Sequence, residues 1–211
     1  MSLLSKLGKK YRCDKVDQWH TFREKTYFDI YETYLRGLKE KDISFLELGV
    51  RDGASLRVWE EYFPNAKIIG VDINPDCKRH TTNRCKVEIG SQGDRNFLQY
   101  VAETHGPFDV VLDDASHINE LTLVSLGELS SHVKTGGLYI IEDLRNSYED
   151  LTEDVKSWPG MHLNNPSLNC NNSETRQNLD NAILSIIKQF DYRQGDFESV
   201  HFHSQMVLLQ K

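Results

Sequence analysis

The stretch Ile43-Ser44-Phe45-Leu46-Glu47-Leu48-Gly49-Val50-Arg51-Asp52-Gly53 decides how the chain is read. A short apolar run ends at a glycine, and helical spacing follows at once, with Leu56, Trp59 and Phe63 on one side. This is the pattern of a buried strand that turns directly into a helix, which Pro64-Asn65 then closes. Gly49 would permit the tight turn, and Gly53 would let the backbone approach a ligand that a side chain would block. Arg51 breaks the GxGxxG pattern of a pyrophosphate cradle, so the turn suits a nucleoside carrying an amino acid better than a dinucleotide.

Outward from this unit the pattern recurs. Strands are expected over 67–72, 86–89, 108–113 and 137–141, with helices over 95–103 and 119–132. Short apolar runs alternating with helices signal βαβ units, hence an α/β fold with a mainly parallel, twisted sheet. Upstream, Tyr27, Phe28, Tyr31, Tyr34, Leu35 and Leu38 fall on one helical face, within an N-terminal helical segment over 1–40. Downstream the alternation breaks. Residues 149–176 are rich in Asn, Ser, Pro and Asp and are expected to form a long substrate-side loop. Leu179, Ala182, Ile183, Ile186, Ile187 and Phe190 then restore a helical stripe, and 199–202 with 206–209 read as two antiparallel strands joined by a tight turn.

A chain of 211 residues fits one domain, 1–211, able to bury a sheet between helix layers without disulfide or metal staples. The net charge of -7 argues against affinity built on nucleic-acid phosphates. Cys13, Cys77, Cys85 and Cys170 form no CxxC pair and read as reduced thiols. The polar N-terminus holds no secretory core, and no apolar run approaches membrane-spanning length, so a soluble, cytoplasmic protein without membrane partners is expected. The sequon Asn171-Asn172-Ser173 then reads as an ordinary polar loop. A homo-oligomer is neither required nor excluded.

Candidate ligand-binding residues lie at successive strand ends. Asp72 ends the second strand about twenty residues after the glycine turn, where a carboxylate can accept both ribose hydroxyls. Gly90-Ser91-Gln92-Gly93-Asp94, past the third strand, could border the adenine. Asp113-Asp114-Ala115-Ser116-His117 follows the apolar strand Val110-Val111-Leu112, and a neighbouring strand ends in Glu142-Asp143. Parallel strands would bring these acids together, and their mutual repulsion asks for a cation. Oxygen donors without cysteine suit a hard ion, Mg²⁺ first, held by Asp114, Glu142 and Asp143, with Asp113 facing the nucleoside. His117, about a helical turn beyond the acids, could take the proton of a hydroxyl acidified by the metal. The same residues also admit a plainer reading, in which Ser116, Asp113 and Asp114 cap the next helix.

These segments resemble the metal-dependent sugar O-methyltransferases of the macrocin and mycinamicin type, with their cephalosporin hydroxylase-like relatives. The resemblance rests on Lys10-Tyr11-Arg12-Cys13-Asp14-Lys15 with His20, on residues 45–59, Asp72, and 90–94 with Phe97-Leu98, and on residues 113–117 and 136–148. It implies a Rossmann-like class I methyltransferase with seven strands, the last antiparallel, and helices on both faces. It implies S-adenosylmethionine as donor, with Glu47, Gly49, Asp72, Ser91, Gln92 and Asp113 lining its pocket. It also implies Mg²⁺ at Asp114, Glu142 and Asp143, and His117 as general base. Ala115 departs from a usual Gly, Arg12-Cys13 from Gly-Thr, and Arg145-Asn146 from His-Thr, the last two where acceptor would enter. The N-terminal domain of the macrolide enzymes has no counterpart here, so a macrolide is not implied.

The leading expectation is metal-assisted O-methylation of a sugar or similar polyol hydroxyl, with a small molecule as partner. A catechol-like phenol would instead ask for an aromatic wall in the 149–176 loop, where Trp158 is the candidate. A donor-binding scaffold without transfer activity would leave the acids without a metal.

Overall fold

The computed structural model describes residues 1–148 and 171–211. Its centre is a seven-stranded sheet: β1 (Ser44–Leu48), β2 (Lys67–Asp72), β3 (Cys85–Ile89), β4 (Phe108–Asp113), β5 (Val133–Ile141), β6 (Ser199–His203) and β7 (Met206–Gln210). They lie side by side in the order β3-β2-β1-β4-β5-β7-β6. The first five are parallel, and β7 runs antiparallel to both β5 and β6. This is the expected sheet with its antiparallel last strand. The inner parallel strands read as near-continuous apolar runs because both of their faces are covered.

Two apolar layers cover the sheet. On one face Leu4, Phe28, Tyr31, Trp59 and Phe63 pack around Phe45 and Val110. They come from α1 (Leu3–Tyr11), α2 (Tyr27–Leu35) and α3 (Ala54–Tyr62), with Phe63 just beyond. On the other face Leu98, Val101, Leu126, Leu129, Leu179 and Ile183 cover Leu46, Val71 and Val111. These belong to α4 (Arg95–His105), α5 (Asn119–Leu129) and α6 (Ser173–Asp191).

The N-terminal segment departs from the simple helical stripe. The helix begins at Tyr27, because residues 21–26 form a small hairpin whose turn residues Arg23 and Glu24 both take positive φ. Thr26 and Asp29 make a capping box at the start of α2, and Asp29 also accepts from Ser2 N and Ser5 Oγ, which docks α1 onto α2. α1 stops at Arg12 in the left-handed region, with Cys13 N bonded back to the Gly8 carbonyl. The chain that follows is thereby laid across the C-terminal ends of the strands.

The expected loop over 149–176 is shorter at its far end than the composition suggested. Asn172 caps α6, accepting from Glu174 N and Thr175 N, so Ser173 to Arg176 are helical. Residues 149–170, with Trp158 and Cys170, lie outside the described residues. Cys13, Cys77 and Cys85 are free thiols. No helix among the described residues is long and apolar enough to cross a membrane.

Candidate active site

Strand register lines up the candidate residues. Leu48 sits opposite both Val71 and Asp113, and Asp113 opposite Ile141. The next residues, Asp72, Gly49, Asp114 and Glu142, therefore stand in a row along the C-terminal edge of the sheet, where neighbouring strands are about 4.8 Å apart. A cavity of about 820 Å³ opens over this row, within the roughly 300–1,000 Å³ span of small-molecule sites.

The glycine turn behaves as expected at one end. Gly49 has φ 98°, and a Cβ there would collide with the Asp114 carbonyl oxygen. Only glycine lets β1 leave the sheet this close to β4. Asp72 Oδ2 accepts from the amides of Val50 and Arg51, each at 2.9 Å, which ties the turn to β2. Asp72 Oδ1 accepts from Asn74 N at 2.8 Å, which leaves the carboxylate with acceptor capacity at the edge of the cavity that Asp72 helps to line. Gly90, Ser91 and Gln92 line the same wall.

Three residues expected on that wall stand elsewhere. Gly53 takes φ 71° at the start of α3, but the space beside it is filled by the His80 ring, not left open for a ligand. Glu47 is fully buried behind Ser55, which donates to its Oε2 at 2.9 Å, as does Trp59 Nε1 at 3.2 Å, while Oε1 has no hydrogen-bond partner. Burial pushes the Glu47 carboxyl up to about 7 against the pull of Lys15. Asp113 is 2 % exposed and points away from the cavity, accepting from Gln92 Nε2 at 2.6 and 2.8 Å and from Ser125 Oγ at 2.5 Å. Its burial raises the carboxyl to about 6. Asp113 thus fixes Gln92, whose Oε1 in turn accepts from Ser116 N and Oγ. The capping alternative for Ser116 and Asp113 also fails, since α5 begins at Asn119 and has no side-chain cap.

The acids do converge, with a companion that sequence reasoning left without a role. Lys15 is 1 % exposed, and its Nζ bonds to Asp114 Oδ2 and, at 2.8 Å, to Glu142 Oε2. Burial opposes an ammonium there, but the carboxylates of Asp114, Glu142 and Glu47 outweigh it and hold Lys15 protonated. Tyr31 donates to Glu142 Oε1, and Tyr27 donates to Asp143 Oδ1 at 2.7 Å. These tyrosines are four residues apart on α2, so one helix face carries both hydroxyls to the site. His20 Nε2 lies 3.6 Å from Asp143, and its Nδ1 is 2.7 Å from the Asp14 carbonyl. Burial alone would raise the Asp143 carboxyl, but the His20 contact, the nearby His117 and the Tyr27 hydrogen bond hold it well below the usual range.

His117 reaches the cluster by a different route from the helical turn expected. It precedes α5 in the left-handed region at φ 55°, as does Asp143 across from it. Two non-glycine residues in that region facing each other mark a strained, over-determined corner. Asn171 supplies part of the restraint: it is 1 % exposed and donates from Nδ2 to the carbonyls of His117 at 2.7 Å and Asn146 at 2.9 Å. The sequon asparagine is thus a buried strut. His117 Nε2 stands 3.5 Å from Asp143 Oδ2 and 3.9 Å from Asp114 Oδ1. One ligand atom each from Asp114, His117 and Asp143 lie within 4.8 Å of one another. Glu142 lies beneath, its two oxygens turned to Lys15 and Tyr31.

A divalent cation suits this donor set. Asp143 is held ionised, and the oxygens of Asp114 and Asp143 that face His117 are not the ones that Lys15 and Tyr27 engage. Lys15 and His20 were within reach of the sequence reading: acids that repel one another need a compensating cation, and Asp14-Lys15 with His20 stood in the matched segments.

Comparison with known proteins identifies the family. Residues 19–183 match the methyltransferase domain family. The chain is 36% identical over 164 residues to L-olivosyl-oleandolide 3-O-methyltransferase of Streptomyces antibioticus, covering 74% of this chain and 39% of that protein. It is 36% identical over 166 residues to mycinamicin VI 2''-O-methyltransferase of Micromonospora griseorubida, covering 75% and 38%. The structure of MycE methyltransferase from the mycinamycin biosynthetic pathway, in complex with Mg, SAH and mycinamycin VI, superposes with a TM-score of 0.75 at 28% identity, over 98% of this chain and 54% of that one. A putative caffeoyl-CoA O-methyltransferase from Staphylococcus aureus, at 12% identity and TM-score 0.60, shares the fold. The chain spans about two-fifths of the length of the curated relatives. On the domain match and the sheet order together, the chain belongs to the methyltransferase domain family.

Proposed function

We propose that the chain is an S-adenosylmethionine-dependent O-methyltransferase that uses a divalent cation, Mg²⁺ first, to methylate a sugar hydroxyl on a glycosylated natural product. The observation that carries this is the junction of two features in one cavity: the Gly49 and Asp72 turn, and the cluster of Asp114, His117 and Asp143. The two curated relatives named above at 36% identity, the olivosyl-oleandolide and mycinamicin VI O-methyltransferases, support the acceptor class, and the MycE complex supports the donor and the metal.

In this reading Asp72 takes the ribose hydroxyls, and Gly49, Ser91 and Gln92 border the nucleoside. Glu47, with its unpartnered Oε1, lies behind this wall, where a donor ammonium group beside it would draw the carboxyl toward its ionised form. Asp113 acts through Gln92. Asp114 and Asp143 hold the cation, and Glu142 completes the acidic set from below. A bound divalent ion would lower the pKa of the acceptor hydroxyl and orient its oxygen. His117 Nε2 takes the hydroxyl proton as the new C–O bond forms and the donor's C–S bond breaks. Asp143, kept ionised, stabilises the resulting imidazolium at 3.5 Å.

The test is incubation with S-adenosylmethionine and a panel of glycosides, with and without Mg²⁺, followed by mass spectrometry. Gain of a methyl group on the sugar, lost on chelation, is expected. Methylation of simple catechols in place of glycosides would refute the assignment.

A further inference from the structure

Beside the cluster, on the side away from Asp72, lies a second groove of about 270 Å³ lined by Trp19, His20, Asp143, Arg145, Asn146 and Gln205. It shares His20 and Asp143 with the main cavity, so whatever occupies it abuts the atoms that would activate a hydroxyl. Its volume suits one six-membered sugar ring and is too small for the donor beside it.

Trp19 is the feature that calls for an explanation. It is 68 % exposed at the edge of this groove, and its backbone is tied in place. Gln205 Nε2 donates to the Trp19 carbonyl at 3.3 Å, and the Gln205 carbonyl accepts from Leu144 N at 2.9 Å. On its other side His20 is anchored to the Asp14 carbonyl and packs at a tilt against Tyr27, with ring centroids 4.9 Å apart. The backbone at Trp19 is thus tied to the β6–β7 turn, and that turn to the segment after Asp143.

We infer that this groove is the acceptor subsite and that Trp19 is its platform, stacking on the C–H face of a pyranose while Asn146, Gln205 and Arg145 hydrogen-bond its hydroxyls. A pyranose has one apolar C–H face and a rim of hydroxyls, and the groove offers one aromatic plane and a rim of amide and guanidinium groups. A catechol would present two π-faces and few hydroxyls, and the amide rim would then be left without partners. The stacked ring has one edge toward His20 and Asp143, which the groove shares with the main cavity, and this edge carries the hydroxyl presented for methylation. Arg145 and Asn146 lie in this rim, so the groove reads the pattern of hydroxyls around the sugar. The inference rests on the proposed O-methyltransferase function and adds the residues that read the acceptor.

The experiment uses the full chain labelled with 5-fluorotryptophan, with the Trp19 resonance assigned from Trp19→Phe. Methyl glycosides of a hexose and a 6-deoxyhexose are titrated in, with catechol as the contrasting probe. The Trp19 signal should shift with the glycosides, and Trp19→Ala should weaken their binding about ten-fold while Trp19→Phe keeps part of it. Donor affinity, read by calorimetry, should be the same in both variants. Glycosides that leave the Trp19 signal unmoved, catechol alone shifting it, or Trp19→Ala binding glycosides as tightly as the parent would each overturn the subsite. Failure of the parent protein to bind S-adenosylmethionine would instead overturn the proposed function, so the two failures are separable.

Discussion

The two halves of the cavity are built differently. The Asp72 half comes from strand ends and the turns directly after them: Val50 and Arg51 bond to Asp72 across only 22 and 21 positions. The cluster half is closed by the N-terminal segment folding over the sheet. Lys15 meets Asp114 and Glu142 across 99 and 127 positions, and Tyr31 and Tyr27 meet Glu142 and Asp143 across 111 and 116. The first half needs only the sheet to form, whereas the second needs α1 and α2 docked. Loss of that docking should therefore disable the cluster while leaving the Asp72 side intact.

The largest effect expected from separating the halves is kinetic. His117→Ala should lower kcat about 10²–10⁴-fold while calorimetry shows donor affinity unchanged; a variant that turns over normally would remove His117 as the base. Next is Lys15→Met, which leaves Asp114 and Glu142 without their buried counter-charge and should cost about 3–5 kcal/mol in metal-free denaturant unfolding. Mg²⁺ should restore part of that loss, and equal stability of variant and parent without metal would show that Lys15 does not balance the acids.

Glu47 gives a pH signature under the donor half. Its carboxyl is raised from 4.5 to about 7 by burial, so the folded state favours the protonated form. Its stabilising contribution is complete below pH 4.5 and fades as pH rises through 7, by about 3 kcal/mol. Glu47→Gln should gain on the parent across that window in the donor-free protein, and parallel pH profiles would contradict the burial account. The smallest effect is at the docking of α1. Burial alone would raise the Asp29 carboxyl, but the bonds from Ser2, Thr26 and Ser5 hold it well below its usual value. Its stabilisation is therefore present at neutral pH and lost as pH falls through the acidic range. Asp29→Asn should cost about 1 kcal/mol at pH 7 and nothing once Asp29 is protonated.

What could be read from the sequence follows the same division. The strand ends, the Gly49 turn, Asp72 and the convergence of Asp114 with Glu142-Asp143 were legible because the two-residue and 3.6-residue periods and parallel register fix them locally. Tyr27 and Tyr31 were not given roles, because nothing local shows that an N-terminal helix face will cover strand ends a hundred residues away. Tyr27 and Tyr31 looked like part of an apolar stripe, and they are: the rings are buried and only the hydroxyls act. Asp113 was misdirected because alternation along a strand says which face a side chain takes, but not that Gln92 and Ser125 wait on the covered face. The His117 turn depends on a left-handed backbone held by Asn171, a contact across 54 positions.

The most direct measurement is calorimetric titration of the intact protein with MgCl₂, alone and with S-adenosylmethionine present, beside Asp114→Ala. A single Mg²⁺ site per chain is expected, absent from the variant, with donor binding the same in both proteins. Mg²⁺ uptake that survives the loss of Asp114, or none in the parent, would contradict the cluster as the seat of the cation.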